Sequence, residues 1–203
     1  MHPRVLLTLM AAATLVLAGA LIAVLVARPS RVAADPGLQG ARSPTGVPPV
    51  SLQLRDQDGR LADTRALRGR PVIVTFLYTH CQDTCPVTAQ QVKGALDDLG
   101  HDVPALAISV DPARDTPRAA RAFLFKQGLT GRMRFLLGPP AELRRAWRTF
   151  GIQPQEQGID HSARVVVLDA AGRPAVAWPT DQLTPEGLAH DLRVLSAGRA
   201  GAG

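Results

Sequence analysis

Between Arg70 and Thr79 the chain reads RPVIVTFLYT, a β-branched and aromatic run with apolar residues at both odd and even positions. Such a strand needs cover on both faces, which places it at the centre of an α/β sheet. The neighbouring segments agree. Val50, Leu52 and Leu54 alternate before an Asp58–Gly59 turn and a second short segment, the pattern of a β-hairpin. A helix is expected over Pro86–Leu99, with proline at its first position. Ala105–Asp111 is a second buried strand, and Asp115–Gly128 a helix capped by Asp115 or Thr116. MRFLLG is a short strand, and PAELRRAWRTFG a helix closed by Gly151. A hairpin from Ala163 to Pro179 and a last helix from Thr184 to about Gly198 complete the order.

Strands alternating with helices, then a closing hairpin and helix, predict an α/β fold with a mixed sheet flanked by helices. A thioredoxin-like arrangement fits that order. An α/β hydrolase fits less well, since no G-x-S-x-G turn is present, and no G-x-G-x-x-G follows a strand to mark a dinucleotide fold.

Ahead of this domain, Val5–Ala27 is uncharged and apolar. As a helix it would extend about 35 Å, enough to cross a hydrocarbon core of about 30 Å. The expected organisation is a short inner tail (1–4), a transmembrane anchor (5–27), a flexible linker (28–49) rich in Pro, Gly, Ala and Ser, one domain (50–197) and a short tail (198–203). A cleaved signal is the alternative, because VAAD at Val32–Asp35 imitates a cleavage site. Either way the domain is expected on the extracytoplasmic side of the cell membrane.

The net charge of +6 does not indicate nucleic-acid binding. Lys93 and Lys126 are the only lysines, the arginines are scattered, and five Phe, two Trp and one Tyr leave no basic cluster interleaved with aromatics.

Chemistry concentrates at the only two cysteines, Cys81 and Cys85, in TFLYTHCQDTCPVT. They follow the central strand, at the carboxyl end of the sheet where open α/β folds place ligands. If Pro86 opens the helix, both sulfurs lie by the positive end of its dipole, which favours thiolate. Three uses follow: a structural disulfide, a redox dithiol, or soft ligands for a soft ion, with copper the leading candidate outside the cytoplasm. A domain of this size needs no staple across so short a loop. A metal site needs a third ligand. His2 lies at the membrane edge, His190 inside the last helix, His101 in a turn, and His80 points away from its neighbour Cys81. His161, in QGIDHSARVVVL, lies on a loop that a thioredoxin-like sheet returns beside the thiols; alone, it reads as an ordinary loop histidine. Beyond Met1 and Met10, Met133 is the remaining methionine.

FLYTHCQDTCP, AISVDPARDTP and IDHSARVVVLDAAG occur in an order and spacing that resemble the SCO/SenC family, over roughly Val50–Ser196. That family comprises membrane-anchored, thioredoxin-like copper proteins that assist assembly of the dinuclear copper centre of cytochrome c oxidase. The resemblance implies Cys81, Cys85 and His161 as metal ligands, copper as Cu(I) or Cu(II), and two partners: the copper-binding subunit of the oxidase and a thiol reductant. Gln82 stands where many relatives carry proline. Asp111 and Asp115 match a family segment, for which the residues themselves supply a structural reason, a strand end and a helix cap.

The favoured function is a copper metallochaperone that passes its ion by ligand exchange. The rival is a thiol–disulfide reductase using Cys81 and Cys85 as a redox pair, with no need of His161. A peroxidase would pass through sulfenic acid, but no distinct peroxidatic motif supports one.

Overall fold

The structure is a computed structural model, and it describes residues 37–153 and 164–197. One eight-stranded mixed sheet organises them, in the order β1-β8-β7-β4-β5-β6-β2-β3. The strands are β1 (Ala41–Arg42), β2 (Gln53–Asp56), β3 (Leu61–Asp63), β4 (Val72–Leu77), β5 (Ala105–Ser109), β6 (Met133–Leu137), β7 (Arg164–Leu168) and β8 (Pro174–Pro179). The helices are α1 (Thr84–Leu99), α2 (Pro117–Lys126), α3 (Pro140–Phe150) and α4 (Pro185–Ala197).

The expected central strand is central. β4 pairs in parallel with β5 and antiparallel with β7, and β5 pairs in parallel with β6. Its alternate side chains serve two cores. Ile73 and Leu77 face a cluster with Ala89, Val92 and Leu96 of α1, Phe123 of α2 and Leu188 of α4. Val72, Val74 and Phe76 face the other cluster, with Leu143, Ala146, Trp147 and Phe150 of α3. Phe76 and Phe150 meet edge to face at 5.3 Å, a favoured aromatic geometry. Three helices on one face and one on the other thus cover a strand that has no polar face to offer water.

Helix boundaries follow local chemistry. α2 starts at Pro117 because Thr116, not Asp115, is its cap; Thr116 Oγ1 accepts the Ala119 N–H at 3.2 Å. α3 stops where Gly151 adopts φ 62°, a left-handed position that suits glycine. α1 begins at Thr84, two residues earlier than Pro86, because the Asp83 side chain caps it. Cys85 therefore sits inside the first turn.

The stretch expected as a free linker behaves differently over its described part, residues 37–49. Leu38 is buried, and β1 pairs with β8 through Ala41–Ala177 and Arg42–Val176. The carboxylate of Asp191, fully buried on α4, accepts N–H groups from Gln39 (2.7 Å), Gly40 (3.0 Å) and the Trp178 indole (3.0 Å). Gly40 is required there, since a Cβ would lie 2.5 Å from Trp178 Nε1. A polar, proline-rich composition masked this attachment, because its partners are distant in sequence. Among the described residues no helix is long and apolar enough to cross a membrane; Val5–Ala27 lies outside them.

Candidate metal centre

The site forms where β4 ends and α1 begins. After Leu77 the chain leaves the sheet through Tyr78, Thr79 and His80, and the Cys81 N–H returns to the Tyr78 carbonyl at 3.4 Å. Asp83 then caps α1 by accepting the Thr84 N–H, which holds its carboxyl below the ordinary carboxylate range. This short turn brings the sulfurs together. The Cys85 N–H donates to Cys81 Sγ at 3.2 Å. Cys81 Sγ also lies 3.6 Å from Asp83 Oδ1. Both cysteines are free thiols.

The two sulfurs differ in burial. Cys81 is 9% exposed and Cys85 is 0% exposed. Burial pushes the Cys85 thiol up, and the neighbouring Cys81 and Asp115 add to that rise. The expectation that the helix dipole favours thiolate at both positions is thus reversed at Cys85, where lost hydration outweighs the helix terminus. Burial, together with Cys81, likewise raises the Tyr78 phenol.

Asp115 holds the loop from behind. Its Oδ1 accepts the Thr79 N–H at 2.8 Å and the Thr79 hydroxyl at 2.7 Å, while Oδ2 accepts the Ser109 hydroxyl at 2.5 Å. It is buried, among the described residues no cation pairs with it, and burial raises its carboxyl despite these donors. Asp111 is bonded by Arg114 Nε at 2.6 Å, and its N–H donates to Ser109 Oγ at 3.2 Å. Sequence reasoning offered Asp115 as a helix cap and missed this role. The available signal was the repeat of hydroxyl and carboxylate residues in ISVDPARDTP, but the partner Thr79 lies 36 positions away.

None of the described histidines completes a three-ligand cluster with the two sulfurs. His80 is exposed, with Nδ1 3.0 Å from its neighbour's hydroxyl. His101 is exposed beside Leu99 O at 3.2 Å, and His190 Nε2 lies 3.0 Å from Gly37 O, so His190 secures the N-terminal strap. Met133 is buried in the core. Among the described residues no three His, Cys, Asp or Glu side chains converge as a metal cluster, and His161 lies outside those residues. Depressions of about 620 and 540 Å³ lie toward the β2–β3 edge, away from the cysteines. Beside Cys81 is a shallow cleft of about 250 Å³. Two adjacent thiols suit a soft ion or a protein disulfide.

A mixed sheet flanked by helices, with a dithiol where its central strand passes into a helix, defines a thioredoxin-like thiol protein. Residues 49–197 match the family described as SCO1/SenC, and the chain belongs to that family. It is 34% identical over 122 residues to Protein SCO1 homolog 1, mitochondrial, of Arabidopsis thaliana, with 56% of this chain and 35% of that protein covered. It is 31% identical over 126 residues to Protein SenC of Rhodobacter capsulatus, covering 57% and 56% respectively. The matches thus span about a third and about half of those relatives. Among solved structures, Bradyrhizobium japonicum ScoI with copper bound shares 32% identity at a TM-score of 0.61, over 72% of this chain and 98% of that one.

Proposed function

We propose that this chain is a membrane-anchored copper chaperone that carries one copper ion on Cys81, Cys85 and His161 toward the dinuclear centre of cytochrome c oxidase. The observation that carries this reading is the thiol pair itself: two adjoining sulfurs at the start of α1, in a family that includes a ScoI with copper bound. The donor set fits the cargo. Two thiolates and an imidazole suit Cu(I), and the same set accommodates Cu(II). Cys85 must release its proton on binding, so the ion has to compensate for a thiol that burial keeps protonated. Three protein ligands leave room for a ligand from the acceptor, and copper passes by exchange without release.

The acceptor is the copper-binding subunit of the oxidase, a thiol reductant keeps the pair open, and Val5–Ala27 holds the domain at the extracytoplasmic face of the cell membrane. The test is copper titration of the intact chain, reduced and oxidised, beside His161→Ala. Reduced protein should take up one copper, oxidised protein should lose that uptake, and the variant should bind more weakly. Unchanged binding by His161→Ala would remove the imidazole from the site.

A second reading, reduction of the acceptor's own disulfide, draws support from the unequal burial of the sulfurs. Cys81 is placed to attack and Cys85 to resolve. His161→Ala should leave that exchange intact.

A further inference from the structure

The cleft beside Cys81 has a chemistry of its own. Thr79, His80, Cys81 and Pro86 form one side, and Ala119, Ala122, Phe123, Lys126 and Gln127, from α2 and its end, form the other. Its apolar lining comes from Pro86, the two alanines and Phe123, and Val87, next along α1, is 54% exposed. Among the described residues no carboxylate lines it. α2 carries Arg118, Arg121 and Lys126 and no acidic residue. Arg121 reaches Asp58 at 3.4 Å, whereas among the described residues Arg118 and Lys126 have no ion-pair partner. Asp83, whose Oδ1 lies 3.6 Å from Cys81 Sγ, does not line the cleft. Among the described residues, charge is therefore polarised about this sulfur, with the Lys126 ammonium on the α2 side and the Asp83 carboxylate outside the cleft.

The geometry points to the cleft between the cysteine loop and α2 as the docking groove for a cysteine-bearing segment of a partner protein, one with a small apolar side chain beside the cysteine and a carboxylate that meets Lys126. This deepens the reading above, since it rests on the thiols meeting a partner's sulfur. Continuity with Cys81 puts the incoming sulfur at the less buried thiol. The alanines leave space for a backbone, and Lys126 selects acidic flanks through complementary charge, an effect that acts mainly on encounter and weakens with salt.

The test needs no metal, so its outcome is separate from that of the copper titration. Three short peptides differ only in flanks, acidic, neutral or basic, around an Ala-Cys core, with each cysteine carried as a mixed disulfide with thionitrobenzoate. In the intact Cys85→Ser chain, the Cys81 thiolate attacks the peptide sulfur and a Cys81–peptide disulfide forms. The peptide–thionitrobenzoate bond breaks, the electron pair leaves with thionitrobenzoate, and the Cys81 proton passes to solvent. Release of the yellow anion gives the rate. The acidic peptide should react about three- to tenfold faster than the basic one at low salt, with the gap closing as salt rises. Lys126→Glu should invert that order. Ala122→Trp should slow all three peptides and spare a small aryl disulfide reagent. Equal rates for the three peptides, no reaction with any of them, or a Lys126→Glu chain slowed equally toward all would overturn the assignment.

Discussion

The backbone N–H of Cys85 points at the sulfur of Cys81 across 3.2 Å. One residue's main chain thus serves its partner's side chain, and Cys85's own sulfur is left in the core. The first turn of α1 makes this possible, because Asp83 caps the helix two residues after Cys81.

Burial of Cys85 gives the metal-free, reduced chain a pH dependence. Its thiol is raised above an ordinary value of 9.0, so folding favours the protonated form. The stability this contributes is fully present below that ordinary value and is lost as pH climbs through the raised folded one. Denaturant unfolding of the reduced apo chain should show stability falling above about pH 9. Cys85→Ser should flatten the alkaline limb.

Asp115 should matter to fold and site together. Asp115→Ala leaves two hydroxyls and the Thr79 N–H without their acceptor, and each buried donor so stranded costs about 1–3 kcal/mol. Thermal melting should fall by several degrees, and the copper spectrum should broaden as the cysteine loop loosens. A melting drop with an unaltered spectrum would mean that Thr79 does not transmit the constraint.

The N-terminal strap depends on Asp191 and Gly40. Asp191→Ala removes the acceptor for three N–H groups, and Gly40→Ala drives a Cβ into the Trp178 ring. Either change should release β1, read as faster amide hydrogen exchange over residues 37–42 with little change in β4 or β5. Loss of protection across the whole sheet would instead make the strap part of the cooperative core.

Large-to-small change at the centre of the sheet should be the most severe. Phe76→Ala empties a fully buried position against Phe150 and should cost about 3–5 kcal/mol, measured by denaturant unfolding.

Much of this was legible in the sequence because the signals were local. The two-faced apolar run gave β4, the Asp58–Gly59 turn gave the β2–β3 hairpin, and Gly151 closed α3 as its position implied. The cysteine pair was found at the end of the central strand for the same reason. What escaped depends on residues far apart. Asp115 was read as a cap since the neighbouring Pro117 signals a helix start, yet its carboxylate turns back to Thr79. Residues 37–42 read as linker because neither Asp191 nor β8 is nearby in sequence. The dipole argument for Cys85 failed because exposure is a property of the packed core, and no spacing rule reports it. The placement of His161 and of Val5–Ala27 lies outside the described residues.

Copper-edge X-ray absorption of the intact, reduced, copper-loaded chain and its His161→Ala variant reads the ligand set itself. Two sulfur scatterers and one imidazole should surround the ion, with the imidazole signal absent from the variant. A copper shell without sulfur, or the same imidazole signal in both proteins, would refute the assignment of Cys81, Cys85 and His161 as the carrier site.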